Sequence, residues 1–264
     1  MFMKEIPQHI KIEVKNQVVN IIFNRPEKRN ALNSQMIDEI QKTLNTYKKN
    51  KKIKIIMFSS DSTVFCAGAD IKYLQKIKEF TFEENLKDSR ELMKLFKTIL
   101  LYPKLIISKI NGPAIAGGCG IATACDITFA TEKSVFGYPE VRIGFIPALV
   151  STFLIHKINE TKLRELLLTG NTIDAKTAQD IGLINYVYKS SEMEEKVDDF
   201  IKDIIKETSI DSIAETKKMI YLWLELENKL EKSAMLNAES RKTNNFKKGI
   251  SAFLNKTKID WGKD

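Results

Sequence analysis

Hydrophobic and polar positions follow two different periods along the first two thirds of the chain, one typical of strands and the other of helices. Short apolar runs predict strands at residues 10–16, 18–24, 53–60, 105–110 and 126–131. Apolar positions at helical spacing predict helices at residues 34–49, 70–77 and 82–102. The order strand, strand, helix recurs with variation and indicates an α/β fold.

Residues that favour turns and helix caps lie between these segments. Asn16 and Gln17 separate the first two apolar runs, so we expect a hairpin turn there. Asn33 or Ser34 is the expected N-cap of the first helix, because short polar side chains accept hydrogen bonds from free N–H groups in the first turn. Asp70 is the expected N-cap of the second helix.

The last third of the chain contains few glycines and no proline, and its periodicity is helical. The pattern predicts three or four helices, in the segments 193–208, 211–230, 231–242 and 246–256. No linker rich in Gly, Ser or Pro precedes them. We therefore expect one continuous α/β core at residues 1–191, followed by a helical region at residues 192–264.

The composition is that of a globular protein, with 264 residues of which 43% are hydrophobic. No apolar run is long enough to span a membrane. Charged residues and Pro7 interrupt the beginning of the chain, so no signal peptide is expected there. These features predict a soluble, cytoplasmic protein.

The cysteine and histidine content disfavours both a disulfide framework and a metal site. Cys66, Cys119 and Cys125 make an odd number without a CxxC pair, which disfavours a disulfide framework. The two histidines, His9 and His156, have no partners at metal-ligand spacing. We therefore expect no metal site.

The formal net charge of +8 predicts attraction to polyanions, either a nucleic acid or a phosphate-rich small molecule. No zinc-finger or RNP-type aromatic motif supports nucleic acid in particular. The charge is also consistent with a lysine-rich solvated surface.

Two segments, residues 55–74 and 105–126, each combine a buried strand, a glycine-rich turn and a helix start. The first N–H groups of a helix lack partners within it and carry partial positive charge. Two such segments in one chain indicate converging donors for an oxygen that gains negative charge, although tight packing of helix on strand would also use these glycines. Neither segment matches a dinucleotide-binding or P-loop motif.

Glu140 lies between Pro139 and an apolar, turn-rich segment that ends at Pro147. Poor solvation would raise the pKa of its carboxyl group, which makes Glu140 a candidate proton carrier near neutral pH. The alternative is a surface turn residue, or an ion-pair partner of Arg142.

Five segments, in order and over nearly the whole chain, resemble the crotonase superfamily, also called enoyl-CoA hydratase/isomerase. They are FNRPEKRNALNSQMIDEI (23–40), FCAGADI (65–71), NGPAIAGGCGIATACDI (111–127), FGYPEVRIGFIP (136–147) and FKKGISAFLNK (246–256). The resemblance implies a spiral of ββα units with a helical C-terminal trimerisation region, in a homotrimer or hexamer. It implies an acyl-CoA thioester as substrate, and no separate cofactor because CoA enters as part of that substrate.

The resemblance assigns roles to individual positions. Ala69 and Gly117 match the residues whose N–H groups form the oxyanion hole, and Glu140 matches a catalytic glutamate. Positions that match contacts to CoA are Lys28, Arg29, Ala67, Gly68, Asp70, Ile71 and Lys256.

Two positions depart from the pattern of the classical hydratases. Gly120 stands where those enzymes have the first of two glutamates, and Ala148 begins an apolar run where a glycine-rich run is common. The expected pocket is therefore more apolar and has Glu140 as its single carboxylate for proton transfer.

The expected reaction is hydration of an α,β-unsaturated enoyl-CoA with Glu140 as general acid and base. Single-glutamate hydratases of the superfamily have a glycine near position 120, which favours this reaction. One glutamate suits a Δ3-Δ2-type enoyl-CoA isomerase equally well, and the superfamily also contains acyl-CoA decarboxylases and thioester hydrolases. A non-catalytic or RNA-binding scaffold is disfavoured, because it would not need Ala69, Gly117 and Glu140 together.

Overall fold

A computed structural model describes residues 7–263, and a six-stranded sheet lies at its centre. The strand order is β1-β2-β3-β4-β6-β9, and a smaller sheet has the order β5-β7-β8. The first two strands pair antiparallel, whereas the remaining pairs of the large sheet are parallel. The strands are β1 (Ile10–Lys15), β2 (Val18–Phe23), β3 (Ile55–Ser60), β4 (Leu105–Ile110), β5 (Ala114–Ile115), β6 (Ile127–Thr131), β7 (Val135–Gly137), β8 (Thr172–Asp174) and β9 (Tyr186–Tyr188).

Helices connect the strands and form the end of the chain. They are α1 (Ser34–Lys48), α2 (Ile71–Glu79), α3 (Phe82–Leu100), α4 (Gly117–Ala124), α5 (Ala148–Leu154), α6 (Glu160–Thr169), α7 (Ala175–Asp180), α8 (Met193–Glu207), α9 (Ile210–Trp223), α10 (Leu226–Ser240) and α11 (Asn244–Leu254). Short 3-10 helices span Pro26–Lys28, Pro139–Ile143 and Trp261–Lys263. Within residues 7–263, no helix is both long enough and apolar enough to cross a bilayer.

The predicted hairpin is confirmed. Asn16 and Gln17 both adopt positive φ angles, 48° and 66°, between β1 and β2. Two successive left-handed residues form the turn whose twist matches that of the flanking strands. The register pairs Ile10 with Phe23 and Lys15 with Val18, so the strands meet directly across the turn.

The parallel strands are buried on both faces, which explains why their sequences are almost continuously apolar. One face carries Val19, Ile21, Ile56 and Ile106 into the main core. The opposite face packs against α8, the first helix of the predicted C-terminal region. The residues of this second cluster include Ile55, Met57, Ile107 and Phe129 from the sheet, and Met193, Val197 and Ile201 from α8.

The predicted caps are confirmed, and the structure chooses between the two alternatives for α1. The Asn33 side chain, not that of Ser34, accepts a hydrogen bond from the Met36 N–H. The Asp70 carboxylate caps α2 by accepting from the N–H groups of Lys72 and Tyr73.

One predicted helix boundary near the end of the chain is wrong. The segment 211–230 is not one helix: it breaks at Leu224 and Glu225, where Glu225 has a φ angle of 51°. The break redirects the chain, so that α10 places Leu226 and Leu230 in the main core. Trp223, just before the break, is 71% exposed. Helical periodicity continues across this point, so the pattern alone did not reveal the change of direction.

Candidate active site

A cleft opens among α2, α3 and α5, and it contains the three residues with predicted catalytic roles. Ala69, Gly117 and Glu140 all line it, although they are far apart in the sequence. Its other walls are mainly apolar and include Leu32, Ile37, Leu74, Ile77, Leu92, Phe96, Phe145, Leu149 and Val150.

Two backbone segments run side by side into this cleft. The Ile115 N–H donates to the Cys66 carbonyl at 2.9 Å, and the Cys66 N–H donates to the Pro113 carbonyl at 3.1 Å. This parallel bridge brings the loop before α2 against the start of α4. Gly118 has to be small here, because a Cβ atom at that position would lie 2.6 Å from Cys66 Cβ.

The N–H groups of Ala69 and Gly117 form no hydrogen bond within residues 7–263. Their neighbours are engaged: the Asp70 N–H donates to the Leu32 carbonyl at 2.8 Å, and the Leu32 N–H donates to the Gly68 carbonyl at 2.7 Å. Both residues line the same cleft, and neither donor has a partner among residues 7–263.

Ala116, immediately before α4, is a feature that the sequence reasoning missed. Its φ and ψ angles are 50° and −124°, a conformation that residues with a Cβ rarely adopt. Such strain persists where the surrounding structure enforces it, often at functional sites. The strained turn sets the direction of the Gly117 N–H. An alanine among glycines gave no sign of it in the sequence.

Glu140 lies in the 3-10 helix Pro139–Ile143 and is 8% exposed. Its Oε2 atom is buried without a hydrogen-bond partner. Burial raises the pKa of this carboxyl group to about 7, partly opposed by a hydrogen bond from its own N–H. The neighbouring Arg142 donates instead to the Thr169 carbonyl and to Asn171. Neither alternative for Glu140, a surface turn residue or a partner of Arg142, is consistent with these contacts.

The space beside Gly120 is filled by apolar side chains. A Cβ atom at Gly120 would lie 2.7 Å from Val150 Cγ1 and 2.8 Å from Phe96 Cζ. Ala148 and Val150 are buried in α5 and line the cleft. The two predicted departures from the family pattern therefore meet in space, and no side chain fits at position 120 without a rearrangement.

Two of the segments predicted to bind CoA adjoin each other. Lys28 and Arg29 are exposed at the end of the 3-10 helix Pro26–Lys28, and Arg29 has a φ angle of 51°. The Ala67 N–H donates to the Arg29 carbonyl at 3.1 Å. Both segments therefore lie at the same edge of the site, next to the loop that carries Ala69.

Asp70, also predicted to contact CoA, has its carboxylate fully engaged. It is 5% exposed, caps α2, and accepts a hydrogen bond from Arg25 Nη2 at 2.8 Å. Arg25 is itself buried, and the sequence reasoning did not single it out. Gly68 is buried with a φ angle of 90°, and the adjacent Ile71 is 53% exposed at the beginning of α2.

Lys256 is exposed and follows the end of α11, with a φ angle of 55°. Its side chain forms no ion pair or hydrogen bond within the described part of the chain, so the structure does not join it to Lys28 or Arg29. The helix before it does reach the site. A Cβ atom at Gly249 of α11 would lie 2.1 Å from the Ile143 carbonyl oxygen, at the end of the Glu140 turn.

The three cysteines offer no nucleophile to the cleft. Cys66, Cys119 and Cys125 are buried, and burial raises the pKa of each thiol to about 12. A thiol with so high a pKa carries almost no thiolate at neutral pH.

Comparisons with known proteins agree with this arrangement. The family described as enoyl-CoA hydratase/isomerase matches residues 13–264. A mitochondrial enoyl-CoA hydratase of Pongo abelii is 30% identical over 253 residues, which are 94% of this chain and 84% of that protein. A trans-2-decenoyl-acyl-carrier-protein isomerase of Streptococcus mutans is 29% identical over 261 residues, 94% of this chain and 96% of that protein.

The crystal structure of an enoyl-CoA hydratase from Mycobacterium avium superposes on this structure with a TM-score of 0.85. The sequence identity is 25%, and the match covers 98% of this chain and 100% of that one. The fold and the family expected from the five motifs are thereby confirmed. The chain belongs to the enoyl-CoA hydratase/isomerase family, the crotonase superfamily.

Proposed function

We propose that the protein is an enoyl-CoA hydratase that uses Glu140 as its general acid and base. The observation that carries the proposal is a buried carboxyl group with an unpartnered Oε2 atom, in one cleft with the free N–H groups of Ala69 and Gly117. A pKa of about 7 lets this group both accept and return a proton near neutral pH.

In the proposed reaction, ionised Glu140 takes a proton from water while the oxygen of that water bonds to Cβ of the substrate. The electron pair of the double bond moves to the thioester oxygen, and the N–H groups of Ala69 and Gly117 stabilise the resulting enolate. Glu140 then gives its proton to Cα, which restores the carboxylate. Water has been added, and no group of the enzyme has changed.

The CoA part of the substrate is proposed to lie along the edge formed by Lys28, Arg29 and Ala67. Cationic side chains attract the phosphates of CoA, which gives part of the net charge of +8 a role. Lys256 is proposed to contribute from the end of α11. The reaction uses no further cofactor, because CoA arrives as part of the substrate.

Glu140→Gln tests the proposal, because an amide of the same shape can neither accept nor return the proton. We expect crotonyl-CoA hydration by this variant to fall by about 10²–10⁴-fold in kcat. Glu195→Gln, an exposed position on α8, is the matched control and should keep the wild-type rate. Unchanged turnover in Glu140→Gln would refute the assigned role.

Double-bond isomerisation is the second candidate, and the packing beside Gly120 favours it. Val150 and Phe96 fill the place where a second carboxylate would hold water, so that part of the cleft is apolar. The same Glu140 could move a proton between the α and γ carbons of a 3-enoyl-CoA. Comparing kcat/KM for crotonyl-CoA and a 3-enoyl-CoA with the purified enzyme separates the two reactions.

We also propose that the chain assembles as a homotrimer or hexamer through its C-terminal helices. Large apolar side chains of α9 and α10 are exposed in the single chain, at Met219, Ile220, Leu222, Trp223, Met235 and Leu236. Exposed apolar side chains in such number mark association surfaces. Light scattering after size-exclusion chromatography should give three or six times the mass of the chain, and a monomer would contradict the proposal.

A further inference from the structure

Apart from the region of Glu140, the apolar cleft contains a second polar region, formed by Asp88 of α3, Asn237 of α10 and Arg241 at the C-terminal end of α10. We call these three residues the distal polar cluster. Asp88 and Phe96 lie on the same face of α3, eight residues and therefore about 12 Å apart along the helix. Phe96 adjoins Gly120, so Asp88 lies about two helical turns from the residue that packs against Gly120.

Arg241 is buried, with 5% of its surface exposed, and its guanidinium is only partly engaged. Nη1 donates to Asp88 Oδ2 at 2.6 Å and to Asn85 Oδ1 at 3.2 Å. The group also lies 5.6 Å from the Phe145 ring. The Nε atom is buried without any hydrogen-bond partner. That atom has no accessible surface, so a ligand in the cleft does not reach it. Nη2 is not buried in this way and forms no hydrogen bond within residues 7–263, so Nη2 is the donor suited to a ligand oxygen.

The other two members of the cluster also have unused hydrogen-bonding atoms. Asn237 is 4% exposed, and its Oδ1 accepts from Ser89 Oγ at 2.8 Å. Within residues 7–263, neither Asn237 Nδ2 nor Asp88 Oδ1 forms a hydrogen bond. The cluster therefore offers a ligand two kinds of donor and one acceptor.

The charges of the cluster decide which ligand group fits. Arg241 and Asp88 already neutralise each other at 2.6 Å. A carboxylate on the ligand would place a second negative charge beside Asp88 with no second cation in the cluster. A hydroxyl group can accept from Arg241 or Asn237 and donate to Asp88 without adding charge.

We propose that the acyl chain of the substrate carries a hydroxyl group at its far end, which the distal polar cluster binds. This inference rests on the acyl-CoA substrate proposed above and adds the chemistry of its acyl chain. An apolar chain end would leave Asn237 Nδ2 and Asp88 Oδ1 desolvated and without hydrogen-bond partners. Sites built to bind a substrate hydroxyl discriminate strongly against the analogue that lacks it.

The test compares 2-enoyl-CoA thioesters that end in methyl, hydroxyl or carboxylate, over a series of matched chain lengths. At the length that reaches the cluster, we expect kcat/KM of the wild-type enzyme to be about 10–100-fold higher for the hydroxyl than for the methyl end. The carboxylate end should also be poorer than the hydroxyl. Equal values at every length, or a preference for methyl or carboxylate, would overturn the proposal.

Two double variants separate recognition from stability. Asp88→Leu with Arg241→Met replaces the buried pair by apolar side chains, and should abolish the hydroxyl preference. Arg90→Met with Glu231→Met removes another ion pair between α3 and α10, on the exposed side, and should retain the preference. The quantity compared is the ratio of kcat/KM for the hydroxyl-ended substrate to that for the methyl-ended substrate within each variant. A loss of stability lowers both values together and leaves this ratio unchanged. An unchanged ratio in the first variant would refute the assignment.

Failure of the proposed reaction would be recognised separately. An enzyme that hydrates crotonyl-CoA but shows no preference for the chain end supports the proposed function and refutes this inference. If no enoyl-CoA is turned over, calorimetry with saturated CoA thioesters ending in hydroxyl or methyl decides the matter. Tighter binding of the hydroxyl compound, lost in Asp88→Leu with Arg241→Met, would support the inference, and equal affinities would refute it.

Discussion

Val150 closes the space beside Gly120: its Cγ1 atom lies 2.7 Å from the position that a Cβ atom would occupy there. Val150 belongs to the apolar run that begins at Ala148, so both departures from the family pattern describe one packed contact. At position 120, where the classical hydratases have the first of two glutamates, Val150 and Phe96 leave no space for a side chain. Glu140 is the carboxylate that remains in the proposed mechanism.

This contact predicts an energetic coupling between the two positions. Gly120→Ala should lower the free energy of unfolding by about 1–3 kcal/mol, because the added methyl group overlaps Val150 and Phe96. Combining it with Val150→Ala should cost less than the sum of the two single changes, because the second substitution removes the overlap. Urea unfolding of the two single variants and the double variant measures the coupling. Strictly additive costs would show that the two residues do not touch.

The raised pKa of Glu140 predicts how activity depends on pH. The proposed base must be ionised in the free enzyme, so kcat/KM for hydration should fall about tenfold per pH unit below about pH 7 and level off above it. Initial rates from about pH 5 to about pH 9, corrected for enzyme stability, test this. A rate that is independent of pH across neutrality would contradict the raised pKa of the proposed base.

The same pKa predicts how stability depends on pH. The folded protein keeps the Glu140 proton up to about pH 7, whereas the unfolded chain releases it near pH 4.5. The free energy of unfolding is therefore not reduced by Glu140 below about pH 4.5, and it decreases by about 3 kcal/mol in total as pH rises to about 7. Glu140→Gln should lack this decrease, so its stability relative to wild type should increase over that window. An equal dependence of the free energy of unfolding on pH in wild type and Glu140→Gln would contradict the raised pKa of Glu140.

The proposed oxyanion hole predicts different effects for two substitutions at one residue. Gly117→Pro removes the N–H donor at the first position of α4, where helices tolerate proline, and should lower kcat by about 10²–10³-fold. Gly117→Ala keeps the donor, and its Cβ atom would lie 3.1 Å from the flexible end of Leu32, so most of the activity should remain. Circular dichroism and unfolding midpoints control for folding. Equal activity in both variants would exclude this N–H from the mechanism.

Much of the fold could be predicted because its signals are local. The hairpin at Asn16 and Gln17 follows from the two apolar runs that flank it, and Asn33 and Asp70 cap their helices through hydrogen bonds to residues two or three positions away. The break at Glu225 could not be predicted in the same way. It depends on the burial of Leu226 and Leu230 as α10 packs against α3 and α5, which lie far earlier in the chain.

The sequence by itself determined the family, the strands β1 to β4 and β6, the helices α1 to α3, and the residues proposed for the chemistry, because motifs and caps depend on neighbouring residues. Only the tertiary structure decided what surrounds those residues. Burial isolates the Glu140 carboxyl group, Val150 occupies the space beside Gly120, and packing of α3 on α10 brings Asp88 to Arg241. Each of these results from contacts between distant segments, and desolvation and steric exclusion act only once the chain has brought those segments together.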